Sequence, residues 1–177
     1  MTPPLHSFAN IHAHGITGPD TITSVEPHQG IDGDYGAAWY SVGIHPWSTA
    51  QQVDDGTIAA LDSLAADPRV VAIGETGLDK KRGGSPECQE RIFLHHAALA
   101  EKLHKPLIIH CVGRYGRIME LRRQLAPSQL WVIHGFSGKE ELARQLVAAG
   151  FGISLGRRSQ ASLKDILPPE RVFFETD

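Results

Sequence analysis

The stretch Val70-Val71-Ala72-Ile73-Gly74-Glu75 carries the pattern that decides the fold of this chain. Its apolar part follows Asp67-Pro68, is too short for a helix and is followed closely by a carboxylate. Two further runs have the same character, Leu107-Ile108-Ile109 after Pro106 and Leu130-Trp131-Val132-Ile133 after Pro127. Uninterrupted apolar runs of this length are typical of parallel strands that are buried on both faces.

Weaker strand patterns raise the expected number of strands to eight. They cover residues 7–11, 21–25, 39–44, 151–155 and 172–174. Helical patterns lie between several of these strands, which indicates an α/β protein with helices packed on a parallel sheet. Eight such strands predict a (β/α)8 TIM-like barrel.

Four segments have apolar residues at three- and four-residue steps and are predicted to be helices. Their apolar stripes begin at Ile58, Cys88, Ile118 and Leu142. Ser85, which precedes Pro86, is expected to cap the second of these helices, and Ser137 is expected to cap the fourth. The segment 15–36 is rich in Gly, Pro and Asp, so we expect the helix after the first strand to be missing or reduced to a loop.

Composition and charge narrow the class of protein. With 177 residues, 41% of them hydrophobic, the chain is long enough for one domain, which we expect to span residues 1–177. The net charge of -3 comes without any block of like charges, which excludes a basic nucleic-acid coat protein. No stretch approaches the roughly 18 apolar residues of a membrane span, so we expect a cytoplasmic protein without a membrane partner. Cys88 and Cys111 match no zinc knuckle and are expected to be reduced.

The ten histidines are the most informative residues, because histidine is the commonest metal ligand. Several predicted strands end close to a side chain that can bind a metal ion. These side chains are His12 and His14, Glu75, His110, His134, and Glu175 with Asp177. The carboxyl ends of parallel barrel strands share one face, so these side chains are predicted to meet there. His12 and His14 are two apart in a strand and therefore point to the same side.

Each of these residues also has an interpretation without metal. Glu75 could pair with Lys80, Lys81 or Arg82, and a histidine that ends an apolar run is often a core residue bonded to the backbone. Several unexplained core histidines in one barrel are rarer than one metal site, so the set as a whole favours metal. Nitrogen and carboxylate ligands favour Zn, Mn, Fe, Co or Ni over Ca or Mg. Two ions roughly 3.5–4 Å apart with a bridging carboxylate activate water, and hydrolysis is the predicted reaction.

The motifs around these residues resemble those of the TatD family, which consists of metal-dependent deoxyribonucleases within the amidohydrolase-like TIM barrels. They are His12-Ala13-His14, Ser41-Val42-Gly43-Ile44-His45-Pro46-Trp47, Ile73-Gly74-Glu75-Thr76-Gly77-Leu78-Asp79, Ile108-Ile109-His110-Cys111, Val132-Ile133-His134-Gly135-Phe136-Ser137-Gly138 and Glu175-Thr176-Asp177. They occur in the family's order over nearly the whole chain. The chain is similar in particular to a shorter bacterial branch with a reduced barrel.

The resemblance implies a role for particular residues. His12, His14 and Asp177 would hold one divalent ion, and His110 and His134 a second. Glu75 would bridge the two ions. Glu75 and Asp177 would be the catalytic residues, with Asp177 orienting or deprotonating the attacking water. For the substrate, His45 would lie near the phosphate and Arg114 would be a further contact.

The implied reaction is phosphodiester hydrolysis, typically by an exonuclease acting on DNA. The implied cofactors are one or two divalent ions per chain, with zinc expected first and manganese, magnesium, nickel or iron as alternatives. DNA or another nucleotide phosphodiester is therefore the expected partner.

The chain departs from the family pattern in two regions. Lys80-Lys81-Arg82-Gly83-Gly84 stands where many relatives carry aromatic residues, and this basic segment either attracts phosphate or forms a solvated turn. Arg157 and Arg158 are further candidate phosphate contacts. Asp177 is the last residue, so we expect a reduced barrel without the final helix, weakened metal binding or activity, and a monomer or homodimer.

Two other functions stay open at this point. The same metal-activated water can hydrolyse a C–N or C–O bond in a small molecule, because fold alone does not choose the substrate. A degenerate member could instead serve as a non-catalytic binding protein, which the position of Asp177 at the end of the chain motivates.

Overall fold

The computed structural model describes residues 3–31 and 39–177, whose strands form one sheet of eight strands. The strands are β1 (Asn10–Ala13), β2 (Thr21–Val25), β3 (Trp39–Val42), β4 (Val70–Asp79), β5 (Leu107–Val112), β6 (Trp131–Ile133), β7 (Gly152–Leu155) and β8 (Val172–Phe174). They pair in chain order, and every pair is parallel. The predicted α/β class and the predicted number of strands are confirmed.

The first and last strands meet at the seam of the barrel. Asn10 Nδ2 donates a hydrogen bond to Thr176 Oγ1 at 2.7 Å, and the Thr176 amide donates to the His12 carbonyl oxygen at 3.4 Å. These bonds hold the end of β8 beside β1. The sheet is therefore nearly closed, as a TIM-like barrel requires.

Helices follow β3 and each later strand as far as β7. They are α1 (Asp55–Ala65), α2 (Pro86–Leu103), α3 (Tyr115–Leu125), α4 (Glu140–Ala148) and α5 (Leu163–Ile166), with short 3-10 segments at Leu5–Ser7, Pro46–Ala50 and Pro169–Arg171. Between β1 and β2 the chain forms only turns, as predicted, while residues 32–36 of the predicted loop lie outside the described residues. No described helix is long and apolar enough to cross a membrane.

One of the two predicted serine caps is wrong. Ser85 Oγ accepts a hydrogen bond from the Cys88 amide at 3.2 Å at the start of α2, as predicted. However, α4 begins at Glu140, and Lys139 occupies the capping position without a side-chain bond. The reason is that Ser137 lies in the connection that leads out of the barrel before the helix can start. The first turn of α4 is instead stabilised by its own carboxylates, which oppose the helix dipole.

Two strands differ from their predicted bounds in a way that matters for the site. β1 begins at Asn10 rather than at residue 7, so His12 lies inside the strand. β4 continues past the apolar run to Asp79 and includes Glu75. This extension depends on Gly77, which has φ of 155° and lies so close to the His110 carbonyl oxygen that a Cβ atom would collide with it.

Large aromatic side chains fix the strands that carry the site. Phe93 of α2 meets Trp131 of β6 edge to face with ring centres 5.3 Å apart, and Trp131 contacts Phe151 at 6.1 Å. All three rings are fully buried, and each contributes roughly 1.5–3 kcal/mol of burial free energy. These contacts fix α2 against β6, whose carboxyl end leads directly to His134.

Candidate metal centre

The carboxylate of Glu75 is the centre of the site. Its side chain is almost completely buried at the carboxyl end of the barrel. Oε1 lies 2.7 Å from His134 Nε2 and 3.0 Å from both His110 Nδ1 and His45 Nε2. Three strand ends, after β3, in β5 and after β6, therefore present an imidazole to one carboxylate oxygen.

The second oxygen of Glu75 faces the seam of the barrel. Oε2 lies 3.2 Å from His12 Nε2 and 3.6 Å from His14 Nε2. Asp177 closes this side, with Oδ1 at 3.3 Å from His14 Nε2 and 3.8 Å from His12 Nε2. The structure thus brings together every side chain that the sequence predicted as a ligand. The alternative in which Glu75 pairs with a lysine or arginine is wrong, because its partners in the described residues are histidines.

The donor set fits divalent cations. His12 is fully buried, yet neither of its ring nitrogens makes a hydrogen bond of acceptable geometry in the described residues, although Nε2 lies 3.2 Å from Glu75 Oε2. A buried polar atom left in this state costs about 1–3 kcal/mol, which a metal ion would remove. Four groups of three ligand atoms lie within 4.8 Å of one another, namely His12-His14-Asp177, His12-Glu75-His134, His45-Glu75-His110 and His134-Glu175-Asp177. Nitrogen-rich sets of this kind suit transition metals and zinc.

Two carboxylates behind the site orient its histidines. Asp79 Oδ2 lies 2.9 Å from His110 Nε2, and Glu175 Oε1 lies 3.4 Å from His134 Nδ1. When these outer nitrogens donate to the carboxylates, the inner nitrogens are left to bind a metal ion next to Glu75. Sequence reasoning assigned no role to Asp79, and it counted Glu175 only among the strand-end side chains that can bind a metal ion. The available signal was position, because Asp79 ends the same strand as Glu75 and Glu175 directly follows the last strand.

His45 differs from the other imidazoles in which ring nitrogen carries its proton. Its Nδ1 accepts a hydrogen bond from the Trp47 amide at 3.0 Å. The ring therefore carries its proton on Nε2, the nitrogen that faces Glu75. A protonated nitrogen donates to an oxygen and offers no lone pair to a metal ion. The geometry thus separates His45 from His110 and His134.

The ionisable side chains of the site strongly shift one another's pKa values. Burial raises the pKa of Glu75, but the neighbouring His134, His110 and His12 more than compensate and hold it well below its ordinary value. Burial lowers the pKa of His134, whereas Glu75 and Glu175 raise it well above its ordinary value. The pKa of His12 is lowered, and burial is the largest cause. Glu75 is consequently ionised, and a metal ion that binds His134 must displace a proton.

The site opens into a cleft with two lobes. The larger lobe has a volume of about 870 Å³ and is lined by the site residues and by Lys81, Arg82 and Arg158. The smaller lobe, of about 280 Å³, contains Glu26 and His28. Arg114 begins α3 beside the larger lobe but is not among the residues that line it, so its substrate role stays a prediction.

Comparisons with known proteins agree with this arrangement. A family model described as TatD related DNase matches residues 21–177. The 3'-5' ssDNA/RNA exonucleases TatD of Shigella flexneri and Escherichia coli K12 are each 34% identical to this chain over 179 residues, which cover 96% of it and 68% of each relative. The corresponding exonuclease of Musicola paradisiaca is 35% identical, over 92% of this chain and 65% of its own length. The chain thus spans about two thirds of the length of these relatives.

Solved structures confirm the barrel. A TatD homologue from Escherichia coli K12 superposes with a TM-score of 0.69 at 23% identity, covering 89% of this chain and 66% of its own. A TatD family hydrolase from Entamoeba histolytica gives 0.74 at 24% identity, with 89% and 60% coverage. The family match and the curated relatives go beyond fold. The chain belongs to the TatD-related DNase family, whose members are metal-dependent hydrolytic nucleases.

Proposed function

We propose that this chain is a metal-dependent exonuclease that removes nucleotides from the 3′ end of single-stranded nucleic acid. The observation that carries this proposal is the Glu75 carboxylate, with His12, His14 and Asp177 on one side and His110 and His134 on the other. The printed names of the relatives supply the direction of digestion and the single-stranded substrate. Lys81, Arg82 and Arg158 in the larger lobe favour a phosphate-rich substrate over a small C–N or C–O substrate.

Five ligands and one bridge are proposed for the metal ions. His12, His14 and Asp177 would hold one ion, His110 and His134 would hold another, and the Glu75 carboxylate, which lies between the two groups, would be a ligand to both. Bound divalent ions polarise the phosphodiester and lower the pKa of water. Zinc is the proposed metal because of the nitrogen-rich donor set, with manganese, nickel, iron and magnesium as alternatives.

The remaining chemistry belongs to the chain itself. The Asp177 side chain is 28% exposed at the edge of the cleft, where it can accept the proton of the attacking water. The oxygen of that water bonds to phosphorus and the bond from phosphorus to the 3′ oxygen of the remaining strand breaks. That 3′ oxygen takes a proton from solvent, and the terminal residue leaves as a nucleotide with the phosphate on its 5′ oxygen. His45 Nε2, which carries the proton and faces Glu75 Oε1 at 3.0 Å, would donate to a phosphate oxygen in place of Glu75 when the substrate binds.

Release of nucleotides from a labelled single strand tests this function. Wild-type protein should release nucleotides from a strand labelled at its 3′ end, and a chelator should abolish the release. Glu75→Ala and His134→Ala should both be inactive, whereas His95→Ala, which changes a partly exposed histidine of α2, should be as active as wild type. Activity in a metal-free preparation would contradict the proposal.

The degenerate, non-catalytic alternative is tested by metal content. We expect one or two ions per chain by mass spectrometry of carefully prepared protein, and the alternative expects none.

A single domain over residues 1–177 is supported by the continuous sheet. A cytoplasmic location and a monomeric or homodimeric state stay predictions.

A further inference from the structure

One large aromatic side chain is exposed beside the metal centre. Trp47 lies in the 3-10 segment Pro46–Ala50 and is 44% exposed. Its ring centre is 4.8 Å from that of His45 and 5.9 Å from that of His110. Trp47 also lines both lobes of the cleft. The indole ring is therefore within reach of a substrate bound in either lobe.

The indole ring is fixed in place rather than loosely exposed. Trp47 Nε1 donates a hydrogen bond to Asp79 Oδ2 at 2.7 Å, and Asp79 is buried. The same oxygen lies 2.9 Å from His110 Nε2. One carboxylate thus sets the positions of the exposed ring and of a proposed metal ligand together. An exposed aromatic ring that is held in this way is typical of a binding surface rather than of a random surface residue.

A cation accompanies the aromatic ring. The Arg82 guanidinium lies 4.3 Å from the centre of the Trp47 ring. The other oxygen of Asp79 accepts hydrogen bonds from the Lys81 and Arg82 amides at 2.7 and 3.1 Å, which anchors the basic segment at its root. The guanidinium lies over one face of the ring, so a nucleobase stacks on the other face or displaces the guanidinium, which stays close enough to bind the adjoining phosphate.

We propose that Trp47 stacks on an unpaired nucleobase of the substrate next to the scissile phosphate, with Asp79 as the positioning residue and Arg82 on the adjoining phosphate. This inference rests on the proposed nuclease function and adds the means of base contact. In a duplex the faces of internal bases are covered by their neighbours, so this contact selects single strands. The stack reads no base identity, because every base has an aromatic face.

Equilibrium binding tests the stack without turnover. Hexathymidylate and an abasic hexamer with the same number of phosphates are titrated against wild-type protein and variants in chelator. Trp47→Leu should weaken hexathymidylate binding about tenfold or more and leave abasic binding unchanged, since stacking contributes roughly 1–3 kcal/mol per base. Trp47→Phe should retain most of the affinity, and Trp39→Phe serves as the control because Trp39 lies at the other end of β3.

The Phe variant separates stacking from a structural role. Both Trp47→Phe and Trp47→Leu lose the bond to Asp79, so a role through Asp79 and His110 would lower kcat equally in the two variants. Stacking predicts instead that KM rises in the Leu variant and much less in the Phe variant. Equal losses of kcat in the two variants would overturn the proposal. So would a loss of affinity for the abasic hexamer as large as the loss for hexathymidylate. If wild-type protein bound the hexamer with this pattern but released no nucleotide, the nuclease function would fail and the stack would stand.

Discussion

Two buried histidines, His96 in the wall of the barrel and His134 at its carboxyl end, have opposite chemistry. His96 Nε2 accepts a hydrogen bond from the Ile44 amide at 2.9 Å, and its Nδ1 lies 2.8 Å from the Ile92 carbonyl oxygen. Burial lowers the pKa of His96 to about 4. His134 is also buried, but carboxylates flank both of its nitrogens and raise its pKa.

The difference shows that burial does not identify a functional histidine. His96 uses both ring nitrogens on backbone groups and has no lone pair left for a metal ion or a substrate. His134 directs one nitrogen to Glu75, which other imidazoles share. The partner of each nitrogen therefore distinguishes a structural histidine from a candidate ligand.

Removal of the shared carboxylate should have the largest effect. Glu75→Gln keeps the shape of the side chain but removes the charge that the surrounding imidazoles and the metal ions need. We expect kcat/KM for nucleotide release to fall by about 10³-fold or more at saturating metal. His96→Gln, measured at a temperature where the variant is folded, should stay within about tenfold of wild type. Comparable losses in the two variants would remove the distinction between the two regions.

The pH dependence of the free energy of unfolding should show that His96 is buried in its neutral form. Its pKa is about 4 in the folded protein and 6.5 in the unfolded chain, so below pH 6.5 the unfolded chain binds the extra proton. The free energy of unfolding should therefore fall by about 3 kcal/mol from this group as the pH drops from 6.5 to 4. Urea unfolding of wild type and His96→Gln should show a flatter dependence in the variant. Parallel curves would mean that His96 is not buried in its neutral form.

Loss of an orienting carboxylate should have an intermediate effect. Asp79→Asn removes the charged partner of His110, and Glu175→Gln removes that of His134. Metal affinity, measured by competition with a chromophoric chelator, should fall about 10–100-fold in each variant. Asp62→Asn is the matched control, because the Asp62 carboxylate of α1 likewise lies next to a histidine, at 2.7 Å from His95 Nε2 of α2, and His95 is not a proposed ligand. If metal affinity were unchanged in both Asp79→Asn and Glu175→Gln, these carboxylates would not be needed to orient His110 and His134.

The smallest effect is expected at the rim of the cleft. Arg158→Ala should weaken single-strand binding a few-fold and reduce the salt dependence of the binding constant by a slope of about 0.7, as expected for one lost phosphate contact. Arg157→Ala is the neighbouring control, because Arg157, for which the sequence also predicts a phosphate contact, is not among the residues that line the larger lobe. Arg114→Ala in the same assay tests the substrate contact that the resemblance implies. An equal slope in wild type and Arg158→Ala would place the phosphates elsewhere.

Sequence could predict the barrel and the residues of the centre because both follow from short-range pattern. The run before Glu75 and the runs before His110 and His134 are apolar and too short for helices, so strand ends could be located. Parallel strands then place their carboxyl ends on one face, whatever the distance along the chain. The convergence of His12, His14, Glu75, His110, His134 and Asp177 is the result.

Other features depend on contacts that no local pattern contains. The tautomer of His45 depends on the turn that directs the Trp47 amide at its ring, which residue type alone does not specify, and the orientation of Trp47 is set by Asp79 of β4. The predicted Ser137 cap was wrong because the length of the connection after β6, and not the residue type, determines where α4 begins. Likewise, position after a strand does not determine which way an arginine points, so Arg158 lines the cleft and Arg114 does not.

Anomalous diffraction from crystals grown with Mn²⁺ is the most direct test of a shared centre at Glu75. We expect one or two strong manganese peaks within coordination distance of the Glu75 carboxylate, one toward His12, His14 and Asp177 and the other toward His110 and His134. A map without a peak at Glu75, or with manganese bound only at other positions, would contradict a metal centre built from these strand ends.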